Sequence, residues 1–538
     1  MRHRDFGSSC KIIMTQALIE KIKNLPRLRL LIILLVIWQY FCVAGIGLLN
    51  WPQYLIWVNL GLLLGFILIC PVYESLLLLI LSIPFSVALP NAYFDALPMW
   101  RILYLALFIV WLIKEKKFKF KEIHFLPWDK FLAIFAAIGL TVSLIFAPYK
   151  AQAIKEVVFW LNIYFFYIVL INSVRGKQHI FEIIRYVLWS LTIIVALGFA
   201  QLFGTFFTSL DTFWVFWAAN ITKLYYGADF ASVSLYSNSW FSYVGARELR
   251  MFSIMPDSQS FAYISLFGLA LGTALTHSVF KHVRKWLWSG IRFSGMAIIL
   301  SGTRAVWVGM IVPFLAVAWA YRRNFQKHLA EKFLWPFIII FALFAVSPLI
   351  NKGLHFLRVE SFKENFLSRA ASIYDLNDTS NRGRIAIWEH SSFFALTHPL
   401  GMGFGNFMVS VDGFDGDKTY NEAAGQINER YNLPAKYVSA HSLYLQVLVE
   451  TGILGFIVFM MFWGRVCWYF WRFVKHYHNK HDFLIYFVAQ ALITVLWVLA
   501  ASIFDITLLN DKVLMFFLIN IGLAGLIVKR YQEYEVEE

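Results

Sequence analysis

The sequence predicts an all-α polytopic membrane protein with about fourteen transmembrane helices and one large extracytoplasmic loop. Three observations carry this. First, 60% of the 538 residues are apolar and only 15% are charged, and the mean hydropathy is +0.64; soluble domains run near 45–50% apolar and about 25% charged. Second, apolar runs of membrane-crossing length recur along the whole chain, and lipid leaves the backbone of such runs no choice but the helix. Third, the net charge of +15 is carried by lysines and arginines confined to short connections between those runs, which is how a topology is written and not how a nucleic-acid surface is built.

The basic clusters are Lys21 to Arg29, Lys114 to Lys121, Lys281 to Lys285, Arg322 with Arg323, and Arg465 to Lys475. The positive-inside rule places each in the cytoplasm. Counting runs against them gives spans near 28–49, 53–70, 72–89, 99–113, 128–147, 154–172 and 181–203, then 257–276, 286–301, 304–321, 333–350, 442–463, 483–504 and 508–528, with both termini inside. The first run follows a long charged stretch, exceeds a signal-peptide core and reads as a retained helix. Cys10, Cys42, Cys70 and Cys467 avoid the outer connections, so no disulfide framework or thiol-metal spacing is expected. The chain divides into N-terminal helices (1–203), a first outer aromatic loop (204–256), helices carrying a short hairpin (257–350), a large outer loop (351–440) and C-terminal helices (441–538).

The first outer loop gathers Phe213, Trp214, Trp217, Tyr225, Tyr226, Trp240 and Tyr243, which read as an interfacial aromatic belt or as a sugar-stacking or lipid-contacting surface. The hairpin turns at Ser301-Gly302-Thr303-Arg304 on arms of minimal length, so Arg304 is expected to sit recessed below the outer surface. An arginine in hydrocarbon costs roughly 2.5–3.5 kcal/mol and is expected where water, protein or an anion receives it. Anion binding by Arg304 is preferred over snorkelling.

The large loop carries Asn381-Arg382-Gly383-Arg384-Ile385-Ala386-Ile387-Trp388, then Pro399-Leu400-Gly401-Met402-Gly403-Phe404-Gly405-Asn406-Phe407. The glycines lack the strand and helix that frame a dinucleotide loop; their role is to let backbone pass close to something else. The loop ends at His441, which opens the next helix on the outer face, where the helix dipole disfavours imidazolium and favours a proton-accepting ring. Glu450 lies farther down, to relay charge or pair with a neighbouring span. Asp412, Asp415 and Asp417 offer a D-x-D spacing, but among Gly413, Gly416 and Lys418 they read as a solvated turn, and no metal is expected. The Asn220 and Asn377 sequons carry no weight.

The runs S-G-T-R-A-V-W-V-G from Ser301, Arg384 to Trp388 leading to P-L-G-M-G-F-G-N-F, and H-S-L-Y-L-Q-V-L-V-E-T-G-I-L-G from His441 together resemble the bacterial O-antigen ligase superfamily, over about Arg250 to Phe459. That superfamily includes lipopolysaccharide ligases, some O-antigen and exopolysaccharide polymerases, and O-linked protein oligosaccharyltransferases. The resemblance implies a GT-C-like glycosyltransferase of the bacterial cytoplasmic membrane, working at the periplasmic face. Its implied donor is a glycan on undecaprenyl diphosphate, its acceptor a hydroxyl of a glycan or lipid such as lipopolysaccharide core, with inversion and without metal or cofactor. Carried over residue by residue, His441, Arg304 and Arg384 are the catalytic candidates, while Arg250, matched by the resemblance, and Arg382, neighbouring Arg384 in the same run, are the substrate-binding candidates. Ser442 stands where asparagine commonly follows the histidine, Met255-Pro256-Asp257 replaces a more usual Asn-Pro-Asn, and fourteen spans exceed the usual twelve. A transporter or flippase is the remote alternative, disfavoured because the unusual charges gather at one face and no internal repeat is evident. Membrane lipids are expected partners and nucleic acid is not.

Overall fold

A computed structural model describes residues 27–90, 97–236, 249–276, 281–322, 327–356, 370–376, 379–411, 439–477, 480 and 482–536. Each apolar segment read from the sequence coincides with a helix or a pair of consecutive helices. In order they are α1 (Arg27–Leu49), α2 (Leu55–Ile69), α3 (Val72–Ser82), α4 (Met99–Lys114), α5 (Asp129–Phe146), α6 (Lys150–Ser173) and α7 (Lys177–Gly204). The segment after α7 is itself helical, holding α8 (Leu210–Phe216), a π-helical turn (Trp217–Thr222), α9 (Lys223–Tyr226) and α10 (Ala228–Tyr236). There follow α11 (Ser258–Leu275), α12 (Lys281–Leu300), α13 (Arg304–Gly309), α14 (Ile311–Arg322), α15 (Lys327–Phe356), α16 (Thr379–Thr397), α17 (Leu443–His476), α18 (Phe483–Ala501) and α19 (Asp511–Val536).

Among the described residues, eight helices are long and apolar enough to cross a membrane: α1, α5, α6, α7, α11, α17, α18 and α19. Shorter apolar stretches at Leu55–Ile69, Val72–Phe85, Arg304–Ala320 and Phe333–Leu349 accompany them. The third segment stops short of its expected end: α3 closes at Ser82, because Pro84 enters a 3-10 turn at Ile83–Phe85. Ala88–Leu89 then pairs antiparallel with Leu97–Pro98, a minimal sheet and the only one among the described residues.

Burial sorts the helices. α11, α18 and α19 are buried nearly all round and form the centre of the bundle, whereas α5 is exposed over most of its surface, as a lipid-facing helix is. Asp257 caps α11 by accepting from the Ser260 N–H at 2.6 Å. At the opposite end of the molecule Arg29 joins three helices, pairing with Glu74 of α3 at 3.2 Å and Glu182 of α7 at 2.7 Å.

The long helix α17 is broken. Gly452 has φ 68° and ψ −175°, so the intrahelical ladder is interrupted there. The carbonyls of Val449 and Glu450 accept instead from the N–H groups of Met402 at 2.9 Å and Gly403 at 2.8 Å, while Ile453 N donates to the Pro399 carbonyl at 2.9 Å. The loop therefore completes the helix. This contact leaves no room at Gly401, where a Cβ would lie 2.5 Å from Gly452 N and 2.8 Å from the Glu450 carbonyl oxygen, at φ +86°. Gly401→Ala is expected to destabilise the protein by more than the ~1–3 kcal/mol of local backbone strain, read as a lowered thermal unfolding midpoint in detergent.

Candidate active site

The turn that presents Arg304 is over-determined. Gly302 takes φ +64°, open to glycine at no steric cost. The Ser301 hydroxyl donates to the Ile298 carbonyl at 2.7 Å, and the Thr303 hydroxyl donates to the Ser258 carbonyl at 3.2 Å. Arg250 reaches across from the strand-like approach to α11: its Nε donates to the Ser301 carbonyl at 3.0 Å and its Nη2 to the Gly302 carbonyl at 3.3 Å. The short helix α13 that follows is held from the other side, where the Trp497 indole donates to the Val306 carbonyl at 2.7 Å and Gly309 lies against the Ala501 backbone. Arg304 thus starts from a fixed base. Its Nη1 donates to the Ser372 hydroxyl at 2.9 Å and the Ser372 carbonyl at 3.2 Å.

Arg384 comes from α16, where Asn381, Arg384 and Trp388 stand three and four residues apart and so share a face. Asn381 donates to the carbonyls of Ser372 at 2.9 Å and Asp375 at 2.8 Å, tying α16 to the same short segment that receives Arg304. The two arginines meet in one cleft of about 160 Å³, whose wall also includes Asn381, Ile373, Trp388 and Phe504. The lining joins the two guanidiniums to apolar side chains. Trp388 and Phe504 stand with ring centroids 6.0 Å apart.

His441 adjoins this cleft through Trp388, whose indole donates to the Ala440 carbonyl at 2.9 Å. It does not open the helix itself: α17 starts at Leu443 after an N-cap at Ser442, and His441 takes the left-handed φ of +46° one residue earlier. Such a conformation persists only where its surroundings enforce it. Here the Ala440 N–H donates to the Gln446 side chain at 3.1 Å, and Leu443 N donates to the carbonyls of Ser502 at 2.9 Å and Asp505 at 3.0 Å. Burial first, and the Arg384 guanidinium second, push the His441 imidazole down to about 4. The neutral ring expected from the sequence is therefore produced by desolvation and a neighbouring cation more than by a helix dipole.

Asp505 is the residue that the sequence reading missed. It is buried in the turn between α18 and α19, where Oδ1 accepts from Ile506 N at 2.7 Å, Thr507 N at 3.0 Å and the Thr507 hydroxyl at 2.6 Å. Its Oδ2 is buried without a hydrogen-bond partner among the described residues. Burial pushes this carboxyl up to about 6, against the opposing pull of Arg384. The signal was present in the sequence, since the span count already sets Asp505 in an outer turn beside the His441 end of the bundle.

Other candidates fall elsewhere. Arg382 is exposed on α16 and Arg250 supports the hairpin turn; neither lines the cleft. Arg250→Ala is expected to cost about 1.5–3 kcal/mol for each charged hydrogen bond lost, and Arg250→Lys not to restore it, because the fork spans two carbonyls; thermal unfolding reads both. Glu450 accepts from the Gln446 side chain and from the N–H groups of Gly405 and Phe407, which ties the glycine loop to α17. Phe213, Trp214 and Trp217 pack with Leu249 and Phe252 into a small core of their own, which corrects both the belt and the sugar-platform readings for these rings. Trp240, Tyr243, Asn377, Asp412, Asp415 and Asp417 lie outside the described residues.

A helical, multi-pass membrane architecture with an arginine-lined cleft beside a half-buried histidine defines the class. Residues 290–460 match the family model described as O-antigen ligase. That match supports membership of the O-antigen ligase superfamily, over the region where the hairpin, loop and histidine motifs lie. No curated protein matches the sequence significantly.

Proposed function

We propose that this chain is a membrane glycosyltransferase that moves a glycan from a polyprenyl diphosphate, undecaprenyl diphosphate in bacteria, to an acceptor hydroxyl on the outer face of the cytoplasmic membrane, in a bundle of fourteen crossings. The observation that carries this reading is the convergence of Arg304 and Arg384 on one cleft with an apolar wall, next to His441. A lipid-linked diphosphate presents the same two characters, an anionic head and a hydrocarbon tail.

The reaction follows from these groups. The acceptor oxygen forms a bond to the anomeric carbon as the bond from that carbon to the diphosphate oxygen breaks, with inversion. Negative charge grows on the departing diphosphate, and the two guanidiniums receive it with paired, permanently charged donors. His441, neutral at physiological pH, takes the proton released by the acceptor hydroxyl. Asp505 and Arg384 hold each other's charge beside the site, and Arg250 keeps the Arg304 turn in register.

The same chemistry serves a ligase, with lipopolysaccharide core or another surface molecule as acceptor, and a polymerase, with a second carrier-linked repeat as acceptor. A deletion strain separates them: long chains left on the carrier mean ligase, single repeats mean polymerase. In vesicles with a polyprenyl-diphosphate oligosaccharide, transfer by the purified chain should be unchanged by EDTA. Loss of activity with chelator would point instead to a metal held outside the residues named here.

A further inference from the structure

The large outer loop, a polar remainder by hydropathy, dips into the bundle between α16 and the turn at Asn406. Two independent depths show it. Pro399 to Gly403 bond to α17 around Gly452, the tenth residue of that helix, which at about 1.5 Å rise per residue lies roughly 14 Å below its start. On the other side the Phe404 ring lies against Gly139 and the Phe404 N–H donates to the Ser143 hydroxyl at 2.9 Å, inside α5. Gly139 is seven residues from the end of α5 at Phe146, about 10 Å down. The chain then reaches the level of the α5 to α6 connection at Asn406, whose buried side chain accepts from Tyr149 N at 2.9 Å.

The outward side of this dip has the chemistry of a lipid contact. Phe393, Leu396 and Leu400 are 67%, 78% and 55% exposed and continue the surface of Ile453 and Leu454 on α17, a helix long and apolar enough to cross the membrane. Residues 391–407 contain no Asp, Glu, Lys or Arg. The polar groups at the tip bond locally: the Thr397 hydroxyl donates to the Phe394 carbonyl at 2.9 Å, and the His398 ring stacks on Phe394 with 4.1 Å between centroids. Irregular backbone survives at membrane depth only where protein satisfies it, and the break at Gly452 supplies the missing partners. An apolar face of this size left to water would be a liability.

We propose that residues 393–404 form a re-entrant membrane anchor of the outer loop, with the acyl chains of the outer leaflet as its partner. Through α16 this anchor fixes the height of Arg384 relative to the bilayer. The test is spin labelling of Leu396→Cys and Leu400→Cys in the full chain carrying Cys10→Ser and Cys467→Ala, reconstituted in vesicles of phosphatidylethanolamine and phosphatidylglycerol. Leu454→Cys serves as the lipid reference and Arg382→Cys as the water reference. Collision with oxygen should exceed collision with a water-soluble nickel chelate at positions 396 and 400, as at 454, and the order should reverse at 382. Labels at 396 and 400 that follow position 382 would overturn the anchor. So would spin–spin broadening at 396 that disappears on dilution with unlabelled protein, which would assign the face to a second copy of the chain.

Discussion

Arg384→Ala should lower glycan transfer by about 10² to 10³, the usual cost of removing one preorganised donor to developing negative charge. The size follows from where the residue stands. It shares a cleft with Arg304, so the pair supplies two positive charges to a leaving diphosphate, and losing one leaves the other to stabilise twice the charge alone. Arg384→Lys should recover little, because an ammonium is a point charge and cannot hold two phosphate oxygens in one plane. The thermal midpoint of the variant should stay near that of the parent, since Arg384 lies half-buried on the face of a helix and its removal opens no core cavity. Full transfer by Arg384→Ala, measured with a polyprenyl-diphosphate oligosaccharide, would remove this residue from the reaction.

His441→Ala should cost about 10² to 10⁴, the range for a lost general base. Its pH dependence carries a sharper mark. The imidazole sits at about 4 instead of near 6.5, so the ring stays neutral and able to accept a proton until the pH falls through about 4. The acid limb of kcat/KM that belongs to this group is therefore expected near pH 4. Arg384→Gln removes a cation that helps hold the value down, so in that variant's residual activity the limb should move toward higher pH. A limb that stays at 6.5 in the parent would mean that the ring is solvated in the free protein.

Much of this molecule is legible in its sequence, because bilayer physics acts through local features. Helix positions follow from the lengths of apolar runs, and the turn at Gly302 from its glycine between two short arms. The candidates Arg304, Arg384 and His441 were found by motif, and the fold brings the two arginines into one cleft with the histidine beside it. What stayed hidden depends on partners distant in sequence. Arg250 stands out in the sequence only by motif, and its bonds to carbonyls some fifty residues away appear only in the fold. Glu450 reads as a lone intramembrane charge until the Gly405 and Phe407 N–H groups arrive on it. The run from Gly401 to Gly405 is too short and too glycine-rich to register as a membrane segment; its depth appears only with the broken helix that completes its hydrogen bonds. The place of Asp505 in an outer turn near His441 is legible in the span count, but the burial that makes it consequential is not.

The central claim is that the two-arginine cleft receives a departing diphosphate. The most direct measurement is transfer by the purified chain, in vesicles, from two donors that differ only in carrying a diphosphate or a monophosphate between glycan and polyprenyl chain. Transfer from the diphosphate and little or none from the monophosphate is the predicted result. Equal rates from both donors, or no transfer from either in the presence of a competent acceptor, would contradict it.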